Sequence, residues 1–379
     1  MKTNSMCALI GNIHRYDELL PLIKDRPIAT LPFSSKYRLI DFNLSNVANA
    51  NILSVFMVFN EGETRSVFDH IGGGREWNLD GVKNRFFIHI YQDYIRRADN
   101  NRSYYELIID YLLKSKSEYV VYMGSKFVCN IDLRAIQAIH RQKNADLTVV
   151  YKRVPKEKLH SSDLLLRMDM DNVVVEKASV STVEPSELVN LCTDIYVIKS
   201  NHLIELLKKR IAAGAVGSIE NLLRESIGQN TAAYEFTGYL TNIYDIPSYY
   251  QANMDMLDVK KFNSLFYSSQ KIYTKMKDDV PTYYSKTSNI SNSQLATGCT
   301  IEGEVENSLI SRGTHIYKNA KVNHSIIFSS NVIHEGATVA YAILDKNVIV
   351  DPGIRIEGTP ENPVVVAKGK HVTRNIIGG

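Results

Sequence analysis

Four segments near the C-terminus place the tightest restriction on what this chain can fold into. TIEGEV (Thr300 to Val305), YKNAKV (Tyr317 to Val322), HEGATV (His334 to Val339) and DPGIRI (Asp351 to Ile356) each begin 17 residues after the one before. SLIS, SIIF and AILD, starting at Ser308, Ser325 and Ala342, keep the same 17-residue step. One branched apolar residue every five or six positions suits neither a helical period nor simple strand alternation. It suits a coil of three short strands per turn, with Val305, Val322, Val339 and Ile356 stacked in one interior column. Steps of six, six and five make an imperfect hexapeptide repeat, and the expectation for residues 290–379 is a left-handed parallel β-helix.

Upstream the pattern is different. Met6 to Ile10, Ile52 to Phe59 (ILSVFMVF), Glu118 to Met123 (EYVVYM) and Asp146 to Tyr151 (DLTVVY) are near-continuous apolar runs, as parallel strands covered on both faces require. Ser103 to Ser115 (SYYELIIDYLLKS) and Leu203 to Ala212 read as helices between them. Alternating strands and helices predict an open, doubly wound α/β sheet over residues 1–256, with ligands at the carboxyl ends of its strands. The polar stretch 257–289, with Pro281, reads as a linker.

The bulk numbers exclude several classes. Lys+Arg exceed Asp+Glu by only three, too small a surplus for a nucleic-acid-binding field. No apolar run approaches the roughly 20 residues of a membrane span, and the N-terminal apolar run is too short for a secretory signal. Cys7, Cys129, Cys192 and Cys299 lie far apart without metal-ligand spacing, which fits free thiols in a reducing, cytoplasmic compartment.

PFSSKYRLIDFNLSN (Pro32 to Asn46) resembles the PFGGKYRIIDFPLSN signature of bacterial glucose-1-phosphate adenylyltransferases. HIGGGREWNLD (His70 to Asp80), EYVVYMG, VVVEKA and YYQANMD resemble further segments of that family in the same order. The resemblance implies a nucleotidyltransferase-type, Rossmann-like domain ahead of the β-helix, and a Mg²⁺-dependent reaction of ATP with glucose 1-phosphate.

The residues that would carry that reaction depart from the family pattern. Its first loop reads roughly LAGGxGTRLxPLT, with glycines that let backbone N–H groups approach a triphosphate. Here only Gly11 remains, and Glu18 stands at the arginine position. In the segment matching RAKPA, Ile28 replaces the phosphate-facing lysine. The two metal-holding aspartates of AGDH and YWRDVGT correspond to Ser125 and Asn242, so the chain is expected to hold no such cofactor. Asp245, three residues on, reads as a surface or helix-capping residue. The family's GTADAV segment becomes NRSYYE (Asn101 to Glu106).

Other positions remain. Glu176 and Lys177 match the EK of VEKP, whose lysine contacts the sugar phosphate; a solvated surface pair is the plain alternative. Lys36 and Arg38 match the KYR segment tied to binding of phosphorylated sugar effectors, or else merely brace Asp41 and the backbone. The reading that follows is a catalytically deficient, modulatory subunit, resembling the D-type glycogen-synthesis subunits of Gram-positive bacteria, in a mixed tetramer with a catalytic partner. Three alternatives stay open. An altered but active site could use His14, Arg15, Lys24 and Glu18; an acyltransferase could use His315, His324 or His334; and the role could be purely structural.

Overall fold

The computed structural model describes residues 5–81, 85–95, 104–169, 173–182, 188–214, 217–228, 230–268, 270–277 and 279–378. Two compact units share the chain, each drawing on distant segments. One comprises Met1–Arg15, Ile40–Asn242 and Ser268–Tyr273; the other comprises Tyr16–Leu39, Ile243–Tyr267 and Thr274–Gly379. These units do not follow the sequence-drawn boundaries at 256 and 289. Within the stretch read as a linker, Val259–Phe266 is a helix capped by the Asp258 carboxylate, and Tyr283–Tyr284 already belongs to the repeat.

The first unit is built on a nine-stranded mixed sheet. Met6–Asn12 lies between Ser54–Phe59 and Tyr119–Met123, parallel to both. Arg85–Ile90 extends the sheet on one side, and Leu188–Lys199 runs antiparallel to Tyr119–Met123 on the other. The apolar runs are buried along almost their whole length, because the helices Tyr104–Ser115 and Ser200–Ala212 deliver Tyr104, Ile108, Leu112, Leu203 and Leu207 to the same core. The chain leaves the first strand toward one side and later returns to its other side. The carboxyl ends of Met6–Asn12 and Tyr119–Met123 therefore flank a topological switch point, where open α/β sheets receive ligands.

The polar residues of IDFNLSN serve this scaffold. Asn43 Nδ2 donates to the Gly124 carbonyl at 3.0 Å, Asn46 bridges Cys129 and Ile131, and the Ser45 hydroxyl accepts from Tyr273 N–H at 2.8 Å. Asp41 is buried against His70, whose ring meets Trp77 edge-on, so the two motifs form one internal contact.

The second unit contains the repeat. Three parallel sheets of six, six and five short strands form the faces of a β-helix. Val305 pairs in register with Val322, Val322 with Val339 and Val339 with Ile356, all fully buried, as the 17-residue step requires. Left-handed backbone at Asn307, His324 and Tyr341 turns the corners between faces. Tyr16–Leu39 packs in this unit, joined to it by a buried ion pair between Arg26 and Asp345.

Candidate functional site

Gly11 and Asn12 end the first strand, and Gly124–Ser125 follow the strand beside it, so they meet at the switch point. The retained Gly11 opens no phosphate cradle. A Cβ there would lie 2.0 Å from Tyr122 Oη, so the space freed by the missing side chain holds the Tyr122 phenol. Ser125 Oγ bonds the Gly11 carbonyl at 3.1 Å and also reaches Asn12 Oδ1. The loop that would wrap a triphosphate is thereby tied down by the chain's own side chains.

Ser125 and Asn242, matched only through motifs in the sequence, come together in space. Leu240–Asn242 pairs antiparallel with Phe127–Cys129, and Asn242 is the register partner of Phe127. Asn242 Nδ2 donates to Asp163 Oδ2 at 2.7 Å, and the other oxygen of that carboxylate accepts from Lys126 Nζ. Lys126, Asp163 and Asn242 are all buried, and Asn242 Oδ1 has no hydrogen-bond partner. A hydroxyl, an amide and a carboxylate already matched by an ammonium do not suit Mg²⁺, which favours charged oxygen ligands. The residues present therefore do not fit the metal that the family resemblance implies.

A second charge network adjoins the first. Asp194 sits in a bulge of Leu188–Lys199 at φ 53°, with its carbonyl accepting from Gly124 N–H. Arg224 grips it with two bonds, Nε to Oδ1 at 2.9 Å and Nη2 to Oδ2 at 2.6 Å, and also pairs with Glu220 at 3.0 Å. Burial, then the Asp194 charge, pushes the Glu220 carboxyl up to about 7 despite Arg224 and Lys126. His14 is held below its usual value by burial and by the nearby charges of Lys126 and Arg224. The sequence reading missed Lys126, Asp163, Asp194, Glu220 and Arg224. Lys126 does lie in the segment matched to AGDH, directly after Ser125, but Asp163, Asp194, Glu220 and Arg224 belong to no matched motif, and only the sheet brings the five together.

The remaining sequence candidates fall as follows. Glu176 pairs with Arg167 at 3.0 Å on the surface. Lys177 donates to the carbonyls of Arg224 and Glu225, which end the Ile219–Glu225 helix, beside an open depression of about 450 Å³ that Ser162, Asp163 and Arg224 also line. Arg15 pairs with Glu63 at 3.2 Å. Asp245 caps the Ile246–Met254 helix through a capping box with Ser248. Of NRSYYE, Asn101 to Ser103 lie outside the described residues, while Tyr104 and Tyr105 are buried in the core.

Glu18 and Ile28 belong to the second unit: Glu18 is exposed in a short turn of helix, and Ile28 is buried. The hairpin that matches PFGGKYR turns through Ser34 and Ser35 at φ 47° and 63°, in the left-handed region that favours glycine. Their hydroxyls offset that cost by bonding Gln294 of the β-helix, at 2.8 and 3.1 Å. Lys36 is exposed, with its ammonium over the Tyr37 ring. Arg38 instead joins a cationic group unseen in the sequence. The Lys346 amine is pushed down to about 7 by burial and then by the charges of Arg38, Arg26 and Lys277, against the pull of Asp345. His315, Tyr317 and His334 form a ring stack, 3.8 and 5.0 Å between centroids, and His315 pairs with Glu302.

The nucleotidyl transferase family matches residues 17–258, and the GlmU-like, C-terminal hexapeptide family matches residues 280–375. The chain is similar to the glycogen biosynthesis protein GlgD of Bacillus subtilis (strain 168), 30% identical over 375 residues and 97% of each chain. It is similar also to GlgD of Geobacillus stearothermophilus, 31% identical over 369 residues, again 97% of each. A glucose-1-phosphate adenylyltransferase of Desulfitobacterium hafniense (strain Y51) is 26% identical over 366 residues, 93% of this chain and 90% of that one.

Proposed function

The chain belongs to the nucleotidyl transferase family, and we propose that it serves there as a modulatory subunit, catalytically deficient by itself. In this reading it joins a catalytic glucose-1-phosphate adenylyltransferase in a mixed cytoplasmic tetramer and supports ADP-glucose formation for glycogen synthesis. The observation that carries it is the pair Ser125 and Asn242. They sit together at the carboxyl ends of the strands, and the neighbouring Asp163 carboxylate is already matched by Lys126. Nucleotidyl transfer needs charge neutralised on the transferring phosphate, and losing one such contact costs about 10²–10³ in rate. End-to-end similarity to proteins named for glycogen biosynthesis supports the pathway. The resemblance of Lys36 and Arg38 to the effector-linked KYR segment, with Lys346 close enough to feel the charge of Arg38, supports a phosphorylated sugar as effector. Among the described residues no helix is long and apolar enough to cross a membrane.

The test is ADP-glucose formation from ATP and glucose 1-phosphate at fixed catalytic partner while this chain is titrated in, with a chain-alone control. The expected outcome is a silent chain alone, and a mixture with raised activity or an altered effector response. Turnover by the chain alone refutes the reading of Ser125 and Asn242. A mixture indistinguishable from the partner alone refutes the modulatory role.

A further inference from the structure

The Lys126–Asp163–Asn242 network does more than lack metal ligands. Asp163 is the carboxylate joined directly to Asn242, and both its oxygens are taken, one by Lys126 Nζ and one by Asn242 Nδ2. A third bond, from His160 N–H at 2.8 Å, falls on the same oxygen as the amide. The lysine side chain is 3% exposed and the Asp163 side chain 0%, so solvent does not carry this charge. Lys126 follows Ser125 directly, and Asn242 pairs with the next residue, Phe127. The ammonium is thus delivered from the middle of the segment that brings the two altered positions together.

We propose that the Lys126 ammonium is the resident cation of this cleft, seated on Asp163 beside Asn242 in place of a divalent metal, and that the cleft accepts no divalent ion while that lysine is present. The physics is that of a buried pair. Asp163 cannot keep its charge out of water without a cation, and a covalently tethered one needs no free ion and costs no loss of solution entropy on binding. The field of the ammonium reaches His14, two residues beyond the end of the first strand, and Glu220, which faces Arg224 and Asp194. It therefore acts on the same cleft rather than on a remote brace. The inference rests on the reading of Ser125 and Asn242 given above.

Mn²⁺ is the probe, with binding read from water-proton relaxation and folding from the thermal midpoint of the full chain. Wild type, Asp163→Asn and Lys126→Met/Asp163→Asn are expected to show no stoichiometric Mn²⁺ and no shift in midpoint. Lys126→Met is expected to melt several degrees lower, to bind one Mn²⁺ and to regain most of the lost midpoint with it, whereas the double variant melts above it without metal. Stoichiometric Mn²⁺ on the wild type that Asp163→Asn removes overturns the proposal, as does a folded Lys126→Met indifferent to Mn²⁺. If Lys126→Met does not fold, Asn242→Asp decides: blindness to Mn²⁺ despite a second carboxylate supports the tethered cation, and one bound Mn²⁺ sinks it. ADP-glucose formation by the chain alone contradicts the modulatory reading instead, so the two failures are distinguishable.

Discussion

Replacing Asp345 by asparagine tests how the second unit holds its loop and its cationic group. Asp345 is 2% exposed and accepts from Arg26 Nη2 at both oxygens, at 2.8 and 2.7 Å, and from Lys346 N–H at 2.7 Å. Arg26 is itself buried, with Nη1 lacking a partner and the guanidinium 5.9 Å from the centre of the Phe328 ring. Asn is nearly isosteric, so the Asp345→Asn change removes a charge and little volume. It strands a buried guanidinium among Arg38, Lys277 and Lys346. Breaking a buried pair from one side costs roughly 3–5 kcal/mol. The amide oxygen retains one bond worth about 1 kcal/mol, which places the expected loss near the lower end, about 3 kcal/mol. At about 2–4 °C per kcal/mol for a unit of this size, the midpoint falls by about 6–12 °C. Calorimetry of the full chain resolves this as a shift of the transition belonging to the β-helix. The uncharged double variant Arg26→Met/Asp345→Leu is expected to recover most of the loss, since a buried pair and an apolar pair of similar volume are often equivalent. A single-variant loss under about 1 kcal/mol refutes the stranded-charge argument. A double variant as unstable as the single one shows that shape, not charge, holds the site.

Three further outcomes are expected. Gly11→Ala drives a methyl group into the Tyr122 phenol and should cost about 1–3 kcal/mol; Tyr122→Leu in the same chain should restore part of it, and additive losses would contradict the contact. His140 is fully buried, bonded through Nδ1 to Thr148 Oγ1 at 2.8 Å, and burial pushes it down from 6.5 to about 4. The unfolded chain therefore takes a proton first, so stability present above pH 6.5 is lost as pH falls toward 4, by up to about 1.4 kcal/mol per unit; unfolding midpoints of wild type and His140→Gln that keep a constant difference across this window would refute it. In the proposed effector role, a phosphorylated sugar bound beside Lys346, whose amine is pushed down to about 7, should draw a proton onto it. Affinity should fall as pH rises above 7, by up to about tenfold per unit, and calorimetry in buffers of different ionisation enthalpy should register the proton; a buffer-independent heat would remove Lys346 from the site.

Much of the fold is legible in the sequence. The buried strands beginning at Met6, Ser54, Tyr119 and Leu147 came out within a few residues of their apolar runs, since burial on both faces leaves a continuous signature. The motif matches named Ser125 and Asn242 separately, and the pairing of Asn242 with Phe127 is what brings their segments side by side. The motif matches gave no sign of the Arg167 partner of Glu176 or of the Tyr122 phenol that fills the space beside Gly11, because both contacts come from other strands of the sheet. The helix at Val259–Phe266 was hidden because a short, mostly exposed amphipathic segment looks like a polar linker.

Periodicity and glycine loss are one-dimensional facts. A 17-residue step fits a coil that returns to the same face at each turn, and a loop stripped of glycines loses the backbone freedom with which such loops close on a triphosphate. Charge partnership is three-dimensional. Nothing in the order of residues joins Lys126 to Asp163, Asp194 to Arg224, or Arg26 to Asp345, 319 positions apart. Those pairs exist because burial forbids an unmatched charge, and only the folded chain decides which charges are buried together.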